Sequence, residues 1–367
     1  MRQLIGVVAM ATLGAATAVG QGWTPEIGIV GGFARIMPAG GGEPRYADRL
    51  DVPGTASAYT TMFVVIPLTA RLALEPAIAA SHATFKEASD LFPSASSSNV
   101  RVTLRADVAI AVGFYAAAGG MVRYRATDSV RSIQLGALGA LGYREDLSSN
   151  LSARIEFQWI SQRQTDSIVP TNVYALLLGF SRRLVERSPS PSLSSDASSA
   201  LAHHWRWGLG VAGGYVRHHL YGSALGSQVD AHETFVNLPG SGSTALPALF
   251  IVIPLRGRFA FETALGGQRT QQPGSTSIDA QLSTRLDLAI YRGGYVAAGG
   301  TIRYVEQTGA SGFAFAGAHV AAGYRFPLIR QLDGRAEVSF TTFKERRDFP
   351  LAQNTLAVLL GVTMALN

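Results

Sequence analysis

Apolar and polar residues alternate with a period of two over most of this chain, the spacing of half-buried β-strands. From Arg71, RLALEPAI sets Arg71, Ala73, Glu75 and Ala77 on one face and Leu72, Leu74, Pro76 and Ile78 on the other. From Arg101, RVTLRADVAIAV opposes Arg101, Thr103, Arg105, Asp107 and Ala109 to Val102, Leu104, Ala106, Val108 and Ile110. RIEFQW opposes Arg154, Glu156 and Gln158 to Ile155, Phe157 and Trp159. One face of each strand is apolar, and the other mixes charged with small residues. Eight such segments are expected in the first half, near residues 23–37, 58–67, 71–82, 100–112, 114–125, 132–144, 152–162 and 171–182.

The pattern is written twice. FVVIPLTARLALEPAI from Phe63 answers FIVIPLRGRFAFETAL from Phe250, YAAAGGMVRY from Tyr115 answers YVAAGGTIRY from Tyr295, and GIVGGFAR from Gly28 answers GVAGGYVR from Gly210. ALGYR from Ala140 answers AAGYR from Ala321, and ARIEF from Ala153 answers GRAEV from Gly334. The order is the same throughout, which predicts a tandem duplication. Residues 21–184 form the first expected unit and 205–367 the second, with a Ser/Pro-rich linker over 185–204. Residues 1–20 have Arg2, an apolar core from Leu4 to Leu13 and small residues at Ala16 and Ala18, the layout of a secretory signal peptide.

Charge recurs at matching places: Arg71 with Arg258, Glu75 with Glu262, Arg105 with Arg285, Asp107 with Asp287, Arg123 with Arg303, Arg154 with Arg335 and Glu156 with Glu337. Surface charges drift freely after a duplication, whereas charges with fixed partners do not. The rest of this face is largely Ala, Gly and Thr, which suits a crowded barrel interior better than a solvated surface. These fourteen residues are therefore expected to form an interior charge network, with the apolar face turned to lipid. Slipping the register by one residue would turn each Arg toward hydrocarbon, at roughly 2–4 kcal/mol near the midplane.

Long connections after Pro38 and Thr84, against tight ones at 67–70 and 112–113, place loops on one side and turns on the other. The expected fold is all-β, an antiparallel up-and-down transmembrane β-barrel. Tyr124, Tyr143, Trp159, Tyr304 and Tyr324, near strand ends, are candidates for interfacial girdles. A soluble β fold is the competing reading, favoured by FVVI at 63–66 and ALLLGF at 175–180, which are apolar on both faces.

On signal peptide, strand number, loop alternation and interior Arg/Glu set, the chain resembles the eight-stranded outer-membrane proteins of the OmpA/OmpX type. The resemblance implies that Glu75, Arg105, Arg123, Arg154 and Glu156, with their second-unit counterparts, form a salt-bridged plug. It departs from that family at its end, TMALN, where members commonly carry an aromatic residue. Two architectures are open: two tandem eight-stranded barrels, each filled by side chains, or one sixteen-stranded barrel with an aqueous lumen.

Composition narrows the chemistry. The chain is 47% hydrophobic and 15% charged and has no Cys, so no disulfide braces it. Its net charge of +6 comes from singly scattered residues, which argues against a nucleic-acid partner. No phosphate loop, zinc spacing or nucleophile elbow is present, so no cofactor or metal is expected. His203, His204, His218 and His219 lack a ligand pattern. Ser81-His82 evokes the Ser and His of outer-membrane lipid A deacylases, but the matching residues are Gly-Gln, and strand neighbours point to opposite faces. The expected role is a structural or surface-interaction barrel, with outer-membrane lipid as partner and extracellular ligands met by the long loops. The alternatives are a porin-like or gated pore and, third, a lipid-modifying enzyme.

Overall fold

The computed structural model describes residues 22–38, 46–52, 59–86, 95–147, 151–164, 171–184, 205–221, 231–238, 249–309, 312–329, 332–344 and 352–366. Every regular element among them is a β-strand, and no helix among them is long and apolar enough to cross a membrane. The first half carries β1 (Glu26–Pro38), β2 (Ala47–Asp51), β3 (Met62–Pro67), β4 (Leu72–Lys86), β5 (Ala95–Ala109), β6 (Phe114–Thr127), β7 (Arg131–Asp146), β8 (Leu151–Gln164) and β9 (Thr171–Arg183). The second carries β10 (Gly208–Tyr221), β11 (Ala231–Asn237), β12 (Leu249–Pro254), β13 (Phe259–Gln272), β14 (Ser275–Tyr291), β15 (Gly294–Gln307), β16 (Phe313–Ile329), β17 (Leu332–Phe343) and β18 (Ala352–Ala365). The expected signal peptide and the whole of the expected linker, with His203 and His204, lie outside the described residues.

All pairing is antiparallel, and its closure depends on the level. At the end holding the tight turns, β1 pairs β3 through Glu26–Ile29 and β9 along its length, closing a ring of eight: β1, β3, β4, β5, β6, β7, β8 and β9. There β10 likewise pairs β12 and β18, closing a second ring of eight: β10, β12, β13, β14, β15, β16, β17 and β18.

At the opposite end the partners cross over. β2 lies between β1 and β13, pairing Gly32–Ile36 on one side and Gln268–Gln271 on the other. β11 lies between β10 and β4, pairing Gly214–Leu220 and Ser81–Lys86. The wall then runs β1, β2, β13 to β18, β10, β11, β4 to β9 and back to β1, a single closed ring of sixteen strands. The two architectures left open by the sequence therefore occupy two levels of one molecule: a sixteen-stranded mouth standing on two eight-stranded legs.

The crossover explains where the strand pattern departs from expectation. The second strand of each half is split, and its upper pieces, ADRLD and AHETFVN, are short and polar, so the first was expected to be loop. Glycine marks the branch. β1 leaves β3 after Ile29 and joins β2 at Gly32, and β10 leaves β12 after Val211 and joins β11 at Gly214. These glycines have φ of 151° and 150°, and an added Cβ would stand 2.2 Å from the Leu176 carbonyl oxygen and 2.1 Å from that of Val358. Only glycine fits a backbone so placed.

Side-chain alternation then sets the surfaces. Leu104, Leu135, Leu141, Ile155, Leu176 and Leu178 on the first half, and Leu286, Ile302, Val320, Val338, Leu356 and Leu360 on the second, are all exposed outward. Residues one place away from them, among them Thr103, Arg105, Glu156 and Leu177, are buried inside. A belt of this extent far exceeds the apolar patches that soluble monomers expose, and it suits hydrocarbon. Tyr124 and Tyr324 are exposed on it, whereas Tyr143, Trp159 and Tyr304 are half-buried.

Candidate functional site: the plugged legs and the forked lumen

Alternation aims Glu75 of β4, Arg105 and Asp107 of β5, and Arg154 and Glu156 of β8 into the first leg, where they meet. Arg105 donates two hydrogen bonds of 2.7 Å to the two oxygens of Glu156. It also lies 3.0 Å from Glu75 and 2.9 Å from Asp107. Arg154 pairs with the other side of Glu75 and stacks 3.6 Å above the Phe63 ring. The Tyr115 hydroxyl donates to Glu156 at 2.6 Å, and the Gln158 amide at 3.1 Å. Opposite Arg105 stands Gly119, where a Cβ would come within 2.5 Å of the Arg105 Cα, so glycine lets β5 and β6 pack beside this cluster.

The second leg repeats the arrangement. Arg285 forks onto Glu337 at 2.9 and 2.6 Å and reaches Glu262 at 3.0 Å and Asp287 at 2.9 Å. Arg335 bridges Glu262 at 2.7 Å and Glu337 at 2.9 Å, 4.0 Å over the Phe250 ring, and Tyr295 donates to Glu337 at 2.6 Å. Each cluster sets two guanidiniums against three carboxylates, and every one of these side chains is buried. Such buried charge stays in place only while mutually paired and hydrogen-bonded.

Ten of the fourteen expected residues thus converge in two clusters. Arg123 and Arg303 face the lumen nearer the mouth, Arg123 on Asn99 at 2.7 Å and Arg303 on Asp279 at 3.0 and 2.9 Å. Arg71 and Arg258 are corrected: both are exposed in the turns before β4 and β13. Their position in the alternation is right, but each strand begins one residue later, so neither side chain enters the wall. Tyr115, Tyr295, Gln158 and His319 are members that sequence reasoning passed over. The repeated tyrosine was detectable, since it opens both YAAAGG and YVAAGG.

Above the clusters the legs differ. The first is filled by Met121, Leu138, Ile160 and Leu177 with Tyr59 and Phe63, an apolar layer. The matching places in the second hold Thr301, His319, Thr341 and Leu359. His319 contacts Arg285 at 3.2 Å and Thr341 at 2.8 Å, and Ser283 and Gln281 hydrogen-bond Thr301. Two water-sized cavities lie in this leg, one toward Trp205 and Asp333 and the other toward His319 and Thr341, and Glu262 and Arg335 line both.

His218 is buried in the lumen against Thr355 and Gln353, and the described residues contain no His, Asp and Glu group able to hold a metal. His82 meets Ser98 across β4 and β5 at 2.7 Å instead of its chain neighbour Ser81.

No family model and no curated protein matches the chain. Among solved structures it is similar to Pseudomonas aeruginosa OpdL, at 9% identity over 94% of this chain and 99% of that one, with a TM-score of 0.30. A Pseudomonas aeruginosa FadL homologue follows at 11% identity, covering 94% and 91%, with a TM-score of 0.27. The CymD monoaromatic hydrocarbon channel shows 9% identity over 97% and 91%, with a TM-score of 0.27. At these identities and scores the similarities assign this chain neither cargo nor activity.

Proposed function

We propose that this chain is an outer-membrane barrel with a structural or surface-interaction role, its sixteen-stranded mouth and longer loops turned outward and both legs closed to free diffusion. The carrying observation is the Arg105 cluster, in which Arg105, Glu75, Asp107 and Glu156 are at most 3% exposed and join opposite walls of the leg. The apolar belt supports a bilayer as its surroundings. The test is single-channel recording of the mature chain refolded into a planar bilayer. Silence from folded protein is expected, and steady conductance comparable to a general porin would contradict the reading.

A gated route through the second leg is the other reading, favoured by its polar filling and by the two cavities that meet at Glu262 and Arg335. Under it, Glu262→Gln weakens the ion pairs of Arg335 and Arg285 on that side and raises small openings, while Glu75→Gln in the dry first leg leaves them unchanged.

A further inference from the structure

Among the described residues, the lumen face of β5 and β6 is more positive near the mouth of the first leg than the matching face of β14 and β15 in the second. Arg101 on β5 and Arg123 on β6 are directly opposed in the strand register, an arrangement in which like charges repel. Arg101 is 2% exposed, yet its Nε and Nη1 have no hydrogen-bond partner among the described residues. Among the described residues, the charges that act on it include those of Arg123, Arg49 and Asp51. Arg123 turns its Nε to the Asn99 amide oxygen, which carries no charge.

The second leg shows how the same register looks when it is satisfied. Gln281 stands where the first leg has Arg101, opposite Arg303, and donates to Thr301 at 3.1 Å. Asp279 stands where the first leg has Asn99 and takes two hydrogen bonds from Arg303, whose third goes to Gln353. Between the copies, Arg for Gln adds a positive charge to the first mouth and Asn for Asp removes a negative one, so each shifts its charge by one unit in the same direction. Buried guanidinium donors without acceptors are costly, and the geometry of the fork matches an oxyanion.

We propose that Arg101 and Arg123, with Arg49 beside them, bind a small soluble oxyanion, a carboxylate or a phosphate, at the mouth of the first leg. Arg101 and Arg123 lie on the lumen face of their strands, so the anion arrives from the shared mouth and not from the lipid. Half-buried Arg123 leaves the site accessible from that side. Beneath it Tyr59, Met121, Leu138, Ile160 and Leu177 form the dry layer, so the anion is held there and not passed on. The proposal stands whether or not the second leg conducts.

The test is calorimetric titration of the full chain, refolded in lipid-free detergent, with inorganic phosphate and separately with succinate, alongside its thermal transition. Saturable binding of at least one of them and a raised transition are expected. Arg101→Gln with Asn99→Asp installs the arrangement of the second leg and should weaken binding about tenfold or more while leaving the ligand-free fold at least as stable. Arg123→Gln is a second variant expected to lose binding should the first fail to fold. No saturable binding of either anion, or binding that both variants retain, overturns the proposal. A response only to added anionic lipid also overturns it, because that assigns the charge to the bilayer surface.

Discussion

Arg105 and Glu156 join opposite walls of the first leg through two parallel hydrogen bonds of 2.7 Å, and neither side chain reaches solvent. Arg105 also stands 3.0 Å from Glu75 and 2.9 Å from Asp107. Arg105→Ala leaves three carboxylates buried with Arg154 as the remaining cation of the cluster, and is expected to cost about 3–5 kcal/mol. Arg285→Ala should cost a similar amount in the second leg. Exposed Arg71→Ala should change stability by less than about 0.5 kcal/mol. Equilibrium unfolding in detergent by urea, followed by tryptophan fluorescence, checks all three.

Tyr115→Phe removes a 2.6 Å hydrogen bond to Glu156 while keeping the ring that packs edge-on against Trp23. The expected loss is about 1.5–3 kcal/mol, the range for hydrogen bonds to a charged group. The same unfolding assay, with Tyr295→Phe as the second-leg counterpart, reads it.

Leu104 is 55% exposed on the outer face, one residue from buried Arg105. Leu104→Arg puts a guanidinium into the apolar belt and should destabilise the protein by about 2–4 kcal/mol if that position lies near the bilayer midplane. The effect belongs to lipid vesicles. In a protein whose outer face met water, the same change would be close to neutral.

The clusters were largely legible because strand alternation is a local signal, and Arg105, Asp107, Glu156 and their counterparts sit beside residues of opposite character. What was not legible was which strand each one pairs with. ADRLD at 47–51 and AHETFVN at 231–237 contain nothing that names a partner strand in the other half of the chain. The crossing is fixed by three-dimensional closure, which sequence periodicity does not encode. Arg71 and Arg258 were misplaced because alternation gives a face and not the point at which a strand ends. His319 was passed over because Leu138 stands in its place in the first half, so comparison of the copies gave it no support.

Gly32 and Gly214 mark the branch points, and each has φ near 150° with a neighbouring carbonyl oxygen within 2.2 Å of where a Cβ would stand. Gly32→Ala and Gly214→Ala should each cost at least about 1 kcal/mol, since the backbone there is incompatible with a side chain. Gly257→Ala offers a comparison: it too has positive φ, at 70°, but nothing lies within 4 Å of its added Cβ. It should cost less than either, and thermal unfolding of the three variants ranks them.

The forked closure is tested most directly by cross-linking, because the chain has no cysteine of its own. Ala83 of β4 and Phe235 of β11 are opposed in the register of the sixteen-stranded mouth, while Met62 and Ile78 are opposed within the first leg. Opposed antiparallel residues stand about 4.5–5.5 Å apart between Cα atoms, within reach of a disulfide. Ala83→Cys/Phe235→Cys and Met62→Cys/Ile78→Cys should both form an internal disulfide on mild oxidation of the folded protein, seen as a mobility shift reversed by reductant. A cross-link at 62 and 78 with none at 83 and 235 would mean that the two halves close separately along their whole height, and the single mouth would be refuted.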